Sequence, residues 1–182
     1  MLWGGLYVAL LAGLVMRVQD PQRPARPGPA PQPDDPIRLI SVHHRIFALL
    51  FLAGPLEALV LGGTASYRLA GALVFALGVL LYRAGARTLG DALTPFVEPR
   101  AGGGLMTSGL YGVLRHPMYV GQGLIAVGAP LTLGAWRSLG LSVVAVFILV
   151  VRVRLEETAL RRRFPEYDSY ARRAKRIVPY LF

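Results

Sequence analysis

Apolar residues gather in five runs, at about Leu2–Met16, Ile46–Leu61, Leu69–Leu81, Tyr119–Leu133 and Leu139–Val151. Polar connections rich in arginine separate them. A membrane span needs roughly 20 apolar residues. Several runs are shorter, so flanking tyrosine, tryptophan and arginine complete them at the interface. The pattern predicts an all-α, polytopic membrane protein with five transmembrane helices and a cytoplasmic C-terminal helix. Gly71 and Gly78 in the third run suit close helix packing, which small residues permit in lipid.

The arginines set the orientation. Arg17, Arg23, Arg26, Arg38 and Arg45 lie in or beside the first connection, and Arg83, Arg87, Arg100 and Arg115 in the third. A longer basic series, from Arg152 to Arg176, follows the last run. The second connection carries only Arg68 and the fourth only Arg137. Positive charge stays on the cytoplasmic side. The expected arrangement has the N-terminus outside and the C-terminus in the cytoplasm. An even number of spans would scramble this alternation.

Composition agrees. The chain has 182 residues, 54% of them hydrophobic, and a formal net charge of +10. A soluble nucleic-acid binder would not carry several long apolar runs, so nucleic acid is not an expected partner. The lipid bilayer is. Cysteine is absent, which excludes disulfides, thiolate metal ligands and a cysteine nucleophile. Met1–Met16 has no basic start and no small-residue cleavage site after it, and reads as a retained first span rather than a secretion signal. Gln19 to Pro36 is proline-rich and lacks apolar periodicity, as a polar linker would. Gly134-Ala135-Trp136-Arg137 is so short that the fourth and fifth spans form a tight antiparallel hairpin.

Candidate chemistry concentrates in the second half, which divides the chain at residues 1–87 and 88–182. Arg115-His116-Pro117 precedes the fourth run, and proline is tolerated in the first helical turn. Pro117 therefore marks the start of that helix, with His116 at the membrane lip. Tyr119 lies three residues from His116, on the same side. Gly121 and Gly123 leave a bare backbone strip that a flat group could approach. Glu156-Glu157 continues the fifth span into the cytoplasm. There Arg154 and Glu157 are three apart, and Glu157 and Arg161 four apart, spacings that allow ion pairs.

The remaining features read more plainly. Ala101–Gly104 is a loop, not a phosphate loop, because it lacks the Gly-Lys-Ser/Thr ending. His43-His44 is an interfacial, solvated pair whose rings point to different helix faces, a poor metal site. No metal is expected. Glu57 is an acid inside a predicted span, which by default suggests function, although it sits near the outer end. Arg172, Arg173, Lys175 and Arg176 form a basic cluster suited to anionic lipid headgroups.

Thr88-Leu89-Gly90, Thr107-Ser108-Gly109-Leu110-Tyr111, Arg115-His116-Pro117-Met118-Tyr119, Glu156-Glu157 and Phe164 to Tyr170 follow one another in a recognisable order. Together they resemble the isoprenylcysteine carboxyl methyltransferase and phospholipid N-methyltransferase superfamily of integral membrane methyltransferases. The likeness spans roughly Thr88 to Pro179. It departs at Pro165, where the family often has glycine, and Phe164 to Tyr167 is one residue shorter than the commonest form.

The resemblance implies S-adenosyl-L-methionine as cofactor, bound by Arg115, His116, Pro117, Tyr119, Gly121, Glu156 and Tyr167. It implies methyl transfer to a lipophilic acceptor that enters sideways between helices. An acidic pair suits the cofactor's ammonium or ribose diol, so Glu156 leads and Glu157 follows. A carboxylate acceptor would need an arginine, Arg154 or Arg152, whereas an amine acceptor would need Glu157. The methyl is already activated by the sulfonium, so the protein mainly aligns the reactants and excludes water. A membrane NADPH-dependent reductase of related scaffold and a non-catalytic membrane protein are the alternatives. A transporter would be expected to show midplane ionisable residues and repeated halves.

Overall fold

The computed structural model describes residues 2–15, 37–63, 66–93 and 104–176. The proline-rich linker, Ala101–Gly103 and the last residues from 177 lie outside them. Among the described residues the fold is all-helical. Six α-helices follow in order: α1 (Leu2–Val15), α2 (Ile37–Leu61), α3 (Arg68–Leu89), α4 (Pro117–Leu133), α5 (Leu139–Arg163) and α6 (Tyr167–Arg173). A short 3-10 turn, Gly109–Gly112, leads toward α4.

Helices α3 and α4 form the tightest pair. Gly71, Gly78 and Gly85 recur every seventh residue on α3, facing Gly121 and Gly128, seven apart on α4. A seven-residue step returns a helix to nearly the same side. The glycines thus make a continuous seam along which the two backbones touch. A Cβ at Gly78 would meet the Gly121 carbonyl oxygen at 2.8 Å, and one at Gly121 would meet the Tyr82 nitrogen at 2.6 Å. Helix α2 lies across α4 and α5, burying Leu50 with Ala126 and Ala145. Tyr7 ties α1 in, its ring 5.8 Å from Phe75 and its hydroxyl donating to the Phe51 carbonyl at 3.3 Å.

The helices overrun several apolar runs. α3 continues past Leu81 through Arg83 and Arg87, and α5 continues past Val151 to Arg163, because arginine and glutamate are good helix formers. Among the described residues, two helices are long and apolar enough to cross a membrane, Val42–Leu61 and Arg68–Leu89. Helix α4, with 17 residues, is about 26 Å long.

At one end of the bundle, the α4–α5 hairpin turns at Gly134, which has φ 70° and closes α4 in the left-handed conformation that glycine adopts freely. Glu57 of α2 reaches this turn. It accepts the backbone N–H groups of Arg137 and Ser138, at 3.0 and 2.8 Å, and the Ser138 hydroxyl at 2.7 Å. These donors belong to the start of α5, so Glu57 caps a neighbouring helix.

Candidate functional site

The opposite end holds the sequence motifs. Pro117 opens α4 as its spacing predicts, and the Tyr119 and Val120 N–H groups donate to the His116 carbonyl, both at 3.1 Å. His116 is 3% exposed, and its ring centroid lies 5.7 Å from that of Tyr119.

Glu157 is the electrostatic centre. It is 1% exposed on the inner face of α5. Arg115 Nη1 donates to its Oε1 at 2.9 Å, while Arg176 donates twice, Nε to Oε1 at 3.1 Å and Nη2 to Oε2 at 2.7 Å. Arg161, four residues on, donates to Oε2 at 3.4 Å. His116 Nε2 stands 3.4 Å from Oε1, an ion-pair contact when the imidazole is protonated. Burial by itself would raise this carboxyl. The surrounding donors, His116 and Arg176 foremost, win and hold it well below the usual carboxylate range.

The same arginines clamp the C-terminal segment. Arg115 Nε donates to the Ala174 carbonyl at 2.9 Å, and its backbone N–H to the Lys175 carbonyl at 2.7 Å. Lys175 returns its N–H to the Val113 carbonyl at 2.9 Å, making a small parallel bridge with Leu114. Tyr170 donates to the Tyr111 carbonyl at 2.7 Å, and burial pushes its phenol up to about 12, which keeps it a donor. Tyr167 is 1% exposed under the Arg161 guanidinium, 5.3 Å from its ring centroid. Its hydroxyl is buried with no hydrogen-bond partner among the described residues. Burial, then the Glu157 charge, raises the Tyr167 phenol, so it too stays protonated.

Glu156 belongs to a second group. Tyr119 donates to its Oε2, and Arg152 Nε donates to the Tyr119 oxygen at 2.9 Å. Arg152 is 5% exposed, whereas Arg154 lies on the exposed side of α5. Arg154 does not form the anticipated pair with Glu157, whose partners arrive from Arg115, Arg161 and Arg176 instead.

The motifs thus come together as two adjoining carboxylate sites. Arg115, His116, Tyr167 and Glu157 share one, and Tyr119, Glu156 and Arg152 the other. Gly121 faces α3, where the Tyr82 backbone occupies the approach that its missing side chain opens. Gly123 stays open, with nothing within 4 Å of where a Cβ would project. Arg176, assigned from sequence to lipid headgroups, folds back onto Glu157. His43, expected to be solvated, is 5% exposed, while His44 is exposed. Long-range convergence carries no local spacing, so neither placement had a sequence signal beyond residue type. No group of three His, Asp or Glu that could hold a metal ion occurs among the described residues.

Two curated proteins share part of the chain. The nickel-cobalt-cadmium resistance protein NccN of Alcaligenes xylosoxydans xylosoxydans is 34% identical over 91 residues, which cover 47% of this chain and 41% of that protein. The cobalt-zinc-cadmium resistance protein CzcN of Cupriavidus metallidurans is 34% identical over 89 residues, covering 47% and 40%. The chain therefore spans about two fifths of the length of these relatives. The family model for phospholipid methyltransferases matches residues 67–167, from the start of α3 through α5, more than half of the sequence. With the Arg-His-Pro helix start and the acidic pair assembled at one end of the bundle, the chain belongs to the phospholipid methyltransferase family, whose members are membrane methyltransferases.

Proposed function

We propose that this protein transfers a methyl group from S-adenosyl-L-methionine to a lipophilic acceptor. The observation that carries the reading is the pair of carboxylates at the end of the bundle where α4 begins and α5 ends, with unfilled donors beside them. The Tyr167 hydroxyl is buried without a hydrogen-bond partner among the described residues, and His116 Nε2 has only its 3.4 Å approach to Glu157. Buried polar atoms are nearly always paired, so an orphaned donor near a carboxylate suits a polar ligand. Glu156, touched by Tyr119, suits an ammonium or a ribose diol, and the open backbone at Gly123 admits a flat group. When bound, the cofactor supplies a methyl already activated by a sulfonium.

The chain's own residues then divide the work. Glu157, with its oxygens taken by arginines, holds Arg115 and the C-terminal segment in place. Arg115, His116 and Tyr167 present donors, Tyr119 fixes Glu156, and Pro117 aims the start of α4. Of the two arginine candidates for orienting the acceptor, the buried Arg152 is the better placed. Isothermal calorimetry in detergent tests the reading. Glu156→Ala should weaken cofactor affinity by roughly tenfold to a hundredfold, the loss of a charge-assisted bond of about 1.5–3 kcal/mol. Unchanged affinity in a folded variant would remove Glu156 from the site.

The proposal includes five spans with the C-terminus cytoplasmic, supported by the arginine distribution and by outward-facing leucines such as Leu52, Leu59, Leu73 and Leu80. An impermeant thiol reagent should label Gly63→Cys and Tyr180→Cys from opposite sides. Labelling from one side would break this topology.

A further inference from the structure

The Leu50–Ala126–Ala145 layer fixes a common register for α2, α4 and α5. Glu57 meets the turn that follows α4, so α2 and α4 run in the same direction. His43 stands seven residues before Leu50, and Gln122 four before Ala126. Their levels differ by three residues, about 4.5 Å along the axis. Tyr119 is seven before Ala126, and Arg152 seven after Ala145 on the reversed α5. Seven residues return a helix to nearly the same side, so both stand at the level of His43. An apolar layer is thus followed by a polar one in the middle of the helix packing.

His43 is 5% exposed, stacked on Phe47 at 4.8 Å and edge-on to His44 at 5.4 Å. Among the described residues, His43 Nδ1 and Gln122 Oε1 are buried without a hydrogen-bond partner. Buried polar atoms are nearly always paired, so two such atoms in adjoining levels point to a shared ligand. Charge narrows its chemistry. Arg152 on α5 and His44 on α2 bear on His43, and Tyr119 on α4 and Tyr82 on α3 lie in the field of the same guanidinium. Arg152 would repel a cation, and a carboxylate has no proton to give the Gln122 oxygen. A hydroxyl is donor and acceptor at once. Its O–H can donate to Gln122 Oε1 while its oxygen accepts Nδ1–H from the uncharged imidazole. Position narrows the ligand further. His43 stands at the start of the apolar stretch Val42–Leu61, and beyond it Leu49 and Leu52 are exposed along α2. A hydroxyl held at His43 can therefore carry an apolar chain laid against the outside of this helix.

We propose that His43 and Gln122 form a binding subsite for the uncharged hydroxyl group of a lipophile. No proton changes hands there: His43 Nδ1 donates a hydrogen bond and Gln122 Oε1 accepts one. The subsite adjoins the Tyr119–Glu156 contact through Arg152, yet it does not depend on methyl transfer, and the ligand binds without S-adenosyl-L-methionine. The two polar atoms are costly to the free protein, because each has been taken from water with no protein partner in return. An apolar side chain of similar shape at either position removes that cost and removes recognition with it. Gain of stability coupled to loss of binding is the mark of a ligand site, and a residue that merely supports the fold would show the reverse.

The experiment uses the full chain in nanodiscs of phosphatidylcholine, a lipid with no free hydroxyl, and omits S-adenosyl-L-methionine. Tritiated dodecanol should be retained saturably above the level of empty nanodiscs. Unlabelled dodecanol should displace it at least about tenfold better than dodecane, dodecylammonium or dodecanoate, the discrimination that one or two hydrogen bonds provide. His43→Phe and Gln122→Leu should each weaken dodecanol binding by about tenfold and bring it close to that of dodecane. Each should also leave the unfolding midpoint unchanged or raise it, by about 2–4 °C. Nitrogen-15 histidine spectra of the wild type should show the proton on Nδ1 of His43, with a signal that moves with dodecanol and not with dodecane. Non-saturable retention, equal displacement by dodecylammonium or dodecanoate, or a His43 signal indifferent to dodecanol overturns the proposal. So does wild-type binding in both variants, or a lowered midpoint in both, which would make the two residues supports of the fold. Dodecanol binding in a protein that fails to bind S-adenosyl-L-methionine would sustain this subsite while removing the cofactor reading.

Discussion

Glu57 and Glu157 stand at opposite ends of the same bundle, and they are solved in opposite ways. Glu57 receives two backbone N–H groups and a hydroxyl, all from the first residues of α5 and the turn before it. Its partners are neutral, local to one helix end, and complete. Glu157 receives guanidinium groups from Arg115, Arg161 and Arg176, which lie on three different segments. An acid that closes every bond it touches is holding structure. Glu157 instead gathers excess positive charge, most of it from distant segments, and a buried hydroxyl, that of Tyr167, is left over beside it.

The difference can be broken most severely at Glu157. Removing the carboxylate leaves Arg115, at 13% side-chain exposure, and His116 without their counter-charge. Losing one partner of a buried charge cluster costs about 3–5 kcal/mol, and the partial exposure of Arg161 and Arg176 puts this case near the lower figure. Glu157→Ala should therefore destabilise the protein by about 3 kcal/mol in detergent unfolding and free the C-terminal segment to proteolysis. An unchanged unfolding midpoint would mean the arginines find equal partners elsewhere.

Acid sharpens the same contrast without a mutation. The folded carboxyl of Glu157 lies below its ordinary value of 4.5, so the unfolded state binds the extra proton first. Its stabilisation is fully present above about pH 4.5 and is lost progressively as pH falls below that value, toward the folded value. One group of this kind changes stability by at most about 1.4 kcal/mol per pH unit. Glu157→Gln should flatten the unfolding profile between pH 4.5 and 3, while a wild-type profile of the same slope would clear Glu157 of this role.

Local chemistry was legible in the sequence, and long-range chemistry was not. Pro117 announced the start of α4 because proline constrains its own backbone. Arg161 and Glu157 pair at four residues, as helix geometry dictates. The glycine seam was half legible: Gly71 and Gly78 suggested close packing, but their partners Gly121 and Gly128 were hidden by distance along the chain, and Gly121 was read as ligand-facing backbone. Arg176 and Arg115 reach Glu157 over 19 and 42 residues, and no periodicity encodes such meetings. His43 looked solvated because its neighbour His44 is equally polar. Only the register with Leu50 separates the buried ring from the exposed one.

The mildest break is at Glu57. By sequence it drew a default suspicion of function, being an acid inside an apolar run, weakened by its place near the outer end. Its geometry gives it a capping task 80 residues away, on α5. Replacing a side chain that satisfies the first N–H groups of a helix costs about 1 kcal/mol. Glu57→Ala should lower the unfolding free energy by about that amount, since Arg137 is exposed and water can take up its N–H, while Ser138, 5% exposed, keeps part of the cost. Cofactor affinity should not change, because Glu57 and the Glu156–Glu157 pair sit at opposite ends of the bundle, linked only through packed helices. Glu57→Gln should recover part of the loss, as an amide oxygen still accepts one of the bonds. Calorimetry with S-adenosyl-L-methionine, run beside the unfolding series, checks both halves at once. A drop in affinity on Glu57→Ala, with stability unaltered, would reverse the assignment and make the outer-end acid the functional one.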